Sequence, residues 1–251
     1  MLIAAAVCPH PPLLIPAAIG AAAGDRPSEL SAVGDACQVA VRALAAAEPD
    51  LIAVVGGGPA DREYEAGTAG SLGEFGVPVT VGGGEPVLPL SLTVGRWLLS
   101  QAGIGAAPEG TGHGRPGPGW AGRGPQVLLQ AIGQRSPAGD CLKLGAAIAE
   151  RASWVAVLAM GDASARRARA TGDPDPQAQA YDDEVARAFA AADDRWLGRL
   201  DPGLDGELTV AGRAAWQVLA GAADGTRLQG RLLCQANPYG VSYLVASWAE
   251  P

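Results

Sequence analysis

The chain reads as a three-layer α/β protein: a central mixed sheet, largely parallel, flanked by helices on both faces. Three observations predict this. Apolar runs at residues 2–7, 51–55 and 154–160 lack the apolar/polar alternation of a half-exposed strand, as strands buried on both faces do. Between them lie segments whose apolar residues recur every three or four positions, the helical period. Each run then opens into residues that stop a strand: Pro9, His10 and Pro11 after the first, glycines and Pro59 after the second, Gly161 and Asp162 after the third. In open α/β sheets such carboxyl-end loops line the ligand crevice.

Composition bounds the rest. In 251 residues, 48% hydrophobic content is ample for a core, and the pattern shows no domain boundary, so one α/β domain is expected over 1–251. A net charge of −8 argues against a nucleic-acid partner or an anionic membrane surface, both of which need clustered basic residues. No uninterrupted apolar run of about 18 residues occurs and the start lacks a basic leader, so a cytoplasmic location is expected. Cys8, Cys37, Cys141 and Cys234 show no CxxC spacing and read as free thiols of a reducing compartment. The bias toward Ala, Gly and Pro, with Lys143 the single lysine, is that of GC-rich coding, so few of the glycines need a structural reason.

In chain order, the first strand is stopped by Pro9, Pro11 and Pro12. These hold His10, one of two histidines, either facing the crevice or simply bonded to a loop carbonyl. Ser28 offers an N-cap, and Leu30, Val33, Cys37, Val41 and Leu44 give residues 28–47 one apolar face. The strand at 51–55 completes a βαβ unit and ends in glycines that match no phosphate-loop pattern. A third strand is expected at 77–81 and a helix at 91–101. Residues 103–124, rich in Gly and Pro and containing His113, read as a long loop. Helices are expected at 126–132, 140–151, 175–197 and, capped by Thr209, 209–222. Residues 228–236 and 241–248 form an antiparallel hairpin about Asn237-Pro238-Tyr239-Gly240. After the strand at 154–160, Asp162 and Ser164 either cap a helix or face the crevice.

Together these stretches resemble the class III extradiol ring-cleavage dioxygenases, the LigB-like superfamily, with the Memo-like proteins as relatives. Cys8-Pro9-His10-Pro11-Pro12-Leu13-Leu14 is similar to the family's PHPPLL opening, and Gly161-Asp162-Ala163-Ser164-Ala165 to its GDxSH motif. Thr111-Gly112-His113-Gly114 resembles its Asp-His-Gly stretch, and Val210-Ala211-Gly212-Arg213 the start of the helix that carries its third metal ligand. The resemblance implies a LigB-like fold, Fe(II) held by two histidines and a carboxylate or cysteine, and an acid/base histidine at His113. Residue by residue, His10 matches the first ligand. The second falls on Gly58 or its neighbour, the third on Val210 or Ala211, and the histidine of GDxSH on Ala165, none of which donates to a metal.

The expectation is therefore a protein that keeps the dioxygenase fold and pocket but has lost the iron and ring cleavage, binding an unknown small molecule or protein. The pocket residues are Cys8, His10, Gly58, Asp162 and Ser164, with His10 a vestigial metal ligand and no cofactor. Fe(II) enters by resemblance alone, and zinc or copper on Cys8, His10, His113 and Asp162 ranks behind it. The alternative is an enzyme of altered chemistry using His10 and His113. A third reading is an accessory subunit docking through Trp120, Trp196 or Trp248. Homodimerisation rests on the base rate for oligomers.

Overall fold

The computed structural model describes residues 1–18, 28–105, 124–166, 173 and 175–251, apart from the side chains of residues 204 and 205. The chain opens with β1 (Leu2–Cys8), α1 (Ser28–Ala46) and β2 (Leu51–Gly58). It continues through β3 (Arg62–Tyr64), β4 (Thr68–Ser71), β5 (Thr80–Val81), β6 (Gly83–Pro86) and α2 (Leu90–Gln101). Next come β7 (Gln126–Gly133), α3 (Ala138–Ala149) and β8 (Val155–Met160), followed by α4 (Pro176–Ala191), α5 (Asp194–Leu197), α6 (Pro202–Leu208) and α7 (Arg213–Ala223). The hairpin of β9 (Gln229–Ala236) and β10 (Tyr243–Ala249) closes the described chain.

Seven strands form one sheet in the order β3-β7-β2-β8-β1-β10-β9. The four central strands are parallel, whereas β3, β10 and β9 add antiparallel edges. β8 lies between β1 and β2 and is buried along its whole length. This is why its sequence carries no polar alternation. α1 and α2 cover one face, and the helices from α3 to α7 supply the apolar layer on the other. A small sheet, β5-β4-β6, stands beside the main one. Among the described residues no helix is long and apolar enough to cross a membrane.

α1 forms where the apolar spacing places it, with Leu30, Val33, Cys37, Val41 and Leu44 all buried. α7 is buried on every side, wedged between α3 and the sheet, so it has no polar face to announce it. α3 and α7 approach through glycines: a Cβ at Gly145 would overlap the Val218 carbonyl oxygen, and one at Gly221 the Leu142 carbonyl oxygen.

Several expectations are corrected. Residues 126–132 are not a helix but most of β7, paired in parallel with β2 from Leu51↔Gln126 to Gly58↔Gly133. A short apolar run does not distinguish helix from buried strand, and pairing with β2 decides it. Of residues 77–81 only Thr80–Val81 is strand, and it belongs to the small sheet. The helix expected at 175–197 breaks at Ala192, which is left-handed (φ 49°), and resumes as α5. Thr209 does not cap α7, whose N-cap is Gly212; its φ is 55°, and it follows the last residue of α6. Trp248 is no docking residue, being 1% exposed with its indole N–H donating to the Phe189 carbonyl at 2.8 Å. Trp196 packs half-buried against the core, and Trp120 lies outside the described residues.

Two substitutions in α3 should act in opposite directions. Gly145→Ala should lower stability by about 1–3 kcal/mol through overpacking. Gly139→Ala, with nothing within 4 Å of the added carbon, should raise it by about 0.5 kcal/mol through the unfolded chain's lost freedom. Denaturant midpoints at constant slope measure both.

Candidate functional site

The carboxyl ends of β1 and β8 lie side by side, with Cys8 paired to Met160, and both loops that leave them turn into the same end of the sheet. The Gly161 N–H donates to the Cys8 carbonyl at 2.9 Å. Beyond it, the Asp162 carboxylate reaches across to accept the backbone N–H of His10 at 2.8 Å. Pro11 and Pro12 leave His10 no helical or ladder partner, so this carboxylate is what anchors its backbone. The ring follows: His10 Nδ1 is buried, makes no hydrogen bond, and lies 3.6 Å from Asp162 Oδ1. That separation is too long for a hydrogen bond but places the imidazole against a carboxylate that is 18% exposed.

Tyr243, at the start of β10, enters the same site. Burial, then the negative charges of Asp162 and Tyr239, push its phenol far above the usual tyrosine range. Beneath the loops, burial pushes the Cys37 thiol well up, and the adjoining Cys8 side chain adds to the shift. Cys37 is thus held as a neutral thiol, a poor nucleophile and a poor metal ligand.

The remaining positions fall in three ways. Gly58 ends β2 with no room for a larger side chain: a Cβ there would stand 2.9 Å from that of Ala131. It opens instead onto a shallow depression of about 540 Å³ with Asp61 and residues 133–136. Ser164 is fully buried, and its N–H (3.0 Å) and hydroxyl (2.7 Å) both donate to the buried Asp182 carboxylate of α4. It fastens the loop to a helix. His113 lies outside the described residues. The structure therefore brings Cys8, His10 and Asp162 together, places Gly58 at a neighbouring strand end, and turns Ser164 inward.

The residues present do not fit the Fe(II) centre that the resemblance implies. Val210 and Ala211 carry no donor, Gly58 faces Ala131, and among the described residues no three His, Cys, Asp or Glu side chains are placed to hold a metal ion. The floor is closed by small residues and an indole: a Cβ at Gly161 would overlap the Gly212 Cα and approach Trp216 Nε1 to 2.9 Å.

Asp61, Asp182, Arg213 and Tyr243 do not emerge from the sequence reading. Asp182 had a legible signal, a charge on the helix face of Ala178, Tyr181, Val185 and Phe189. Arg213 and Gln217, four apart in an otherwise apolar helix, had another: the Arg213 guanidinium donates to the Gln217 side chain at 2.7 Å and the Gln134 carbonyl at 2.6 Å.

No protein-family profile matches the chain, and no curated protein matches it by sequence. Among solved structures it is similar to the uncharacterized protein JW3007 from Escherichia coli K12. The two are 15% identical with a TM-score of 0.51, over 98% of this chain and 99% of the other. At that identity the likeness is one of fold. It extends over the mixed α/β architecture as a whole.

Two outcomes check this geometry. In an ultraviolet titration Tyr243 should ionise well above the ordinary tyrosine value of about 10, seen as the absorbance step lost in Tyr243→Phe. Its contribution to stability is full below pH about 10 and is lost as pH rises toward the folded-state value, because the unfolded phenol ionises first. Asp162→Asn should lower that value in part, burial being the larger cause. Asp182→Ala, which leaves two buried donors of Ser164 unpaired, should destabilise the fold by about 2 kcal/mol or more, read from denaturant melts.

Proposed function

We propose that the chain is a divergent, LigB-like relative of the class III extradiol dioxygenases that has kept the strand-end crevice, lost the ring-cleavage iron, and binds a small molecule there. The observation that carries this reading is the donor set: one imidazole and one carboxylate at adjoining strand ends, where iron in the family needs two imidazoles and a third donor. The PHPP opening and the Gly-Asp-x-Ser stretch fall at neighbouring carboxyl ends of a largely parallel sheet, which supports the family reading. His10 and the partly exposed Asp162 carboxylate would offer a ligand hydrogen-bonding groups, with Tyr243 close by.

One observation favours a second reading, proton transfer by His10. Asp162 sits 3.6 Å from the ring nitrogen, on the side from which a carboxylate orients an imidazole. The paired form with His113 stays a proposal, since His113 is outside the described residues.

The test is metal content by mass spectrometry before and after incubation with Fe(II), Zn(II) and Cu(II), together with oxygen uptake on catechol and protocatechuate. The binding reading expects no stoichiometric metal and no ring cleavage above buffer. Stoichiometric metal that disappears in His10→Ala, or catechol cleavage that does, overturns it.

A further inference from the structure

Away from the crevice, the small sheet, the second half of α2 and the start of β7 enclose a cavity of about 750 Å³. That is the size of a small-molecule site. Val81, Leu99, Ile104 and Val127 give it apolar walls, and Ser100 and Arg96 line it from α2.

Arg96 is the unusual wall. It is half-buried, and among the described residues its guanidinium makes no ion pair or hydrogen bond, whereas the buried Arg213 donates to the Ser136 and Gln134 carbonyls and the Gln217 side chain. Burial with no anion to offset it lowers the Arg96 pKa. A cation withdrawn from water without a counter-charge is costly, and in a chain of net charge −8 carboxylates are plentiful elsewhere. The guanidinium fork matches a carboxylate through two parallel hydrogen bonds, and the apolar walls match a hydrocarbon body rather than a bare ion.

We propose that this cavity binds a small organic acid, its carboxylate on Arg96 and its apolar or aromatic body against Leu99, Ile104 and Val127. The site is separate from the crevice and does not rest on the reading of His10.

Calorimetric titration of the full chain with benzoate, the neutral isostere benzamide and inorganic phosphate tests it. Benzoate should bind, with benzamide and phosphate at least roughly tenfold weaker. Arg96→Gln should weaken benzoate by a similar factor, Arg96→Lys by less, and Val127→Trp, which fills the cavity, should abolish binding. His10→Ala should leave it unchanged. Equal affinity for benzamide, binding of phosphate alone, no binding by any probe, or loss in His10→Ala overturns the proposal. If Arg96→Gln fails to fold, Val127→Trp decides: undiminished benzoate binding in it is equally fatal.

Discussion

The loop that leaves β8 holds the carboxyl end of the sheet together. Within five residues it bonds to five separate parts of the chain. Gly161 donates to Cys8 of β1, Ala163 to Ser242 beside β10, and Ala165 to Leu208 of α6, while the Asp162 carbonyl accepts from Ala211 ahead of α7. Ser164 completes the set by donating to Asp182 of α4 and accepting from Ser242. A backbone buried beyond a strand end must pair its polar groups or bear their desolvation cost, and here each partner lies on a different element. The position of Asp162, and through it that of His10, is a consequence of those bonds.

Polar side chains, some exposed and some buried, do related work farther along the same edge. Asp61, just past β2, accepts from the Gly133 N–H at 2.7 Å and the Ser136 hydroxyl at 3.0 Å, joining the ends of two parallel strands. Arg213 reaches the carbonyls of Gln134 and Ser136 from the start of α7, and Gln217 continues the line to the Leu200 carbonyl at 2.9 Å. The buried Arg213 charge is tolerated because several oriented acceptors replace the lost water. These side chains specify loop positions that apolar packing alone would leave soft. These bonds tie together the carboxyl ends of β1, β2, β7 and β8, where His10, Asp162 and Tyr243 are the polar side chains that meet among the described residues.

Much of the fold was legible in the chain. The helical spacing of α1, the unbroken apolar run of β8 and the Asn-Pro-Tyr-Gly turn of the last hairpin each carry a local physical cause that acts before any tertiary contact forms. At the site, the prolines around His10 and the Gly-Asp pair after β8 marked two strand ends. The spacing did not say that Asp162 would hold the His10 backbone. Nor did it say that Ser164, two residues later, would turn inward to Asp182. In an extended segment residues two apart would share a side, so the opposite outcomes for Asp162 and Ser164 are set by what packs around the loop and not by the local period.

The sequence by itself determined the alternation of buried strands with one-faced helices and the residues available at the strand ends, because both follow from side-chain chemistry read along the chain. Only the tertiary structure decided that residues 126–133 pair with β2 as a strand, and that α7 is buried on all sides. It also placed β8 between β1 and β2 and left Arg96 in a cavity with no partner among the described residues. Those outcomes depend on backbone hydrogen bonds and desolvation between segments far apart in the chain, and no local pattern records them.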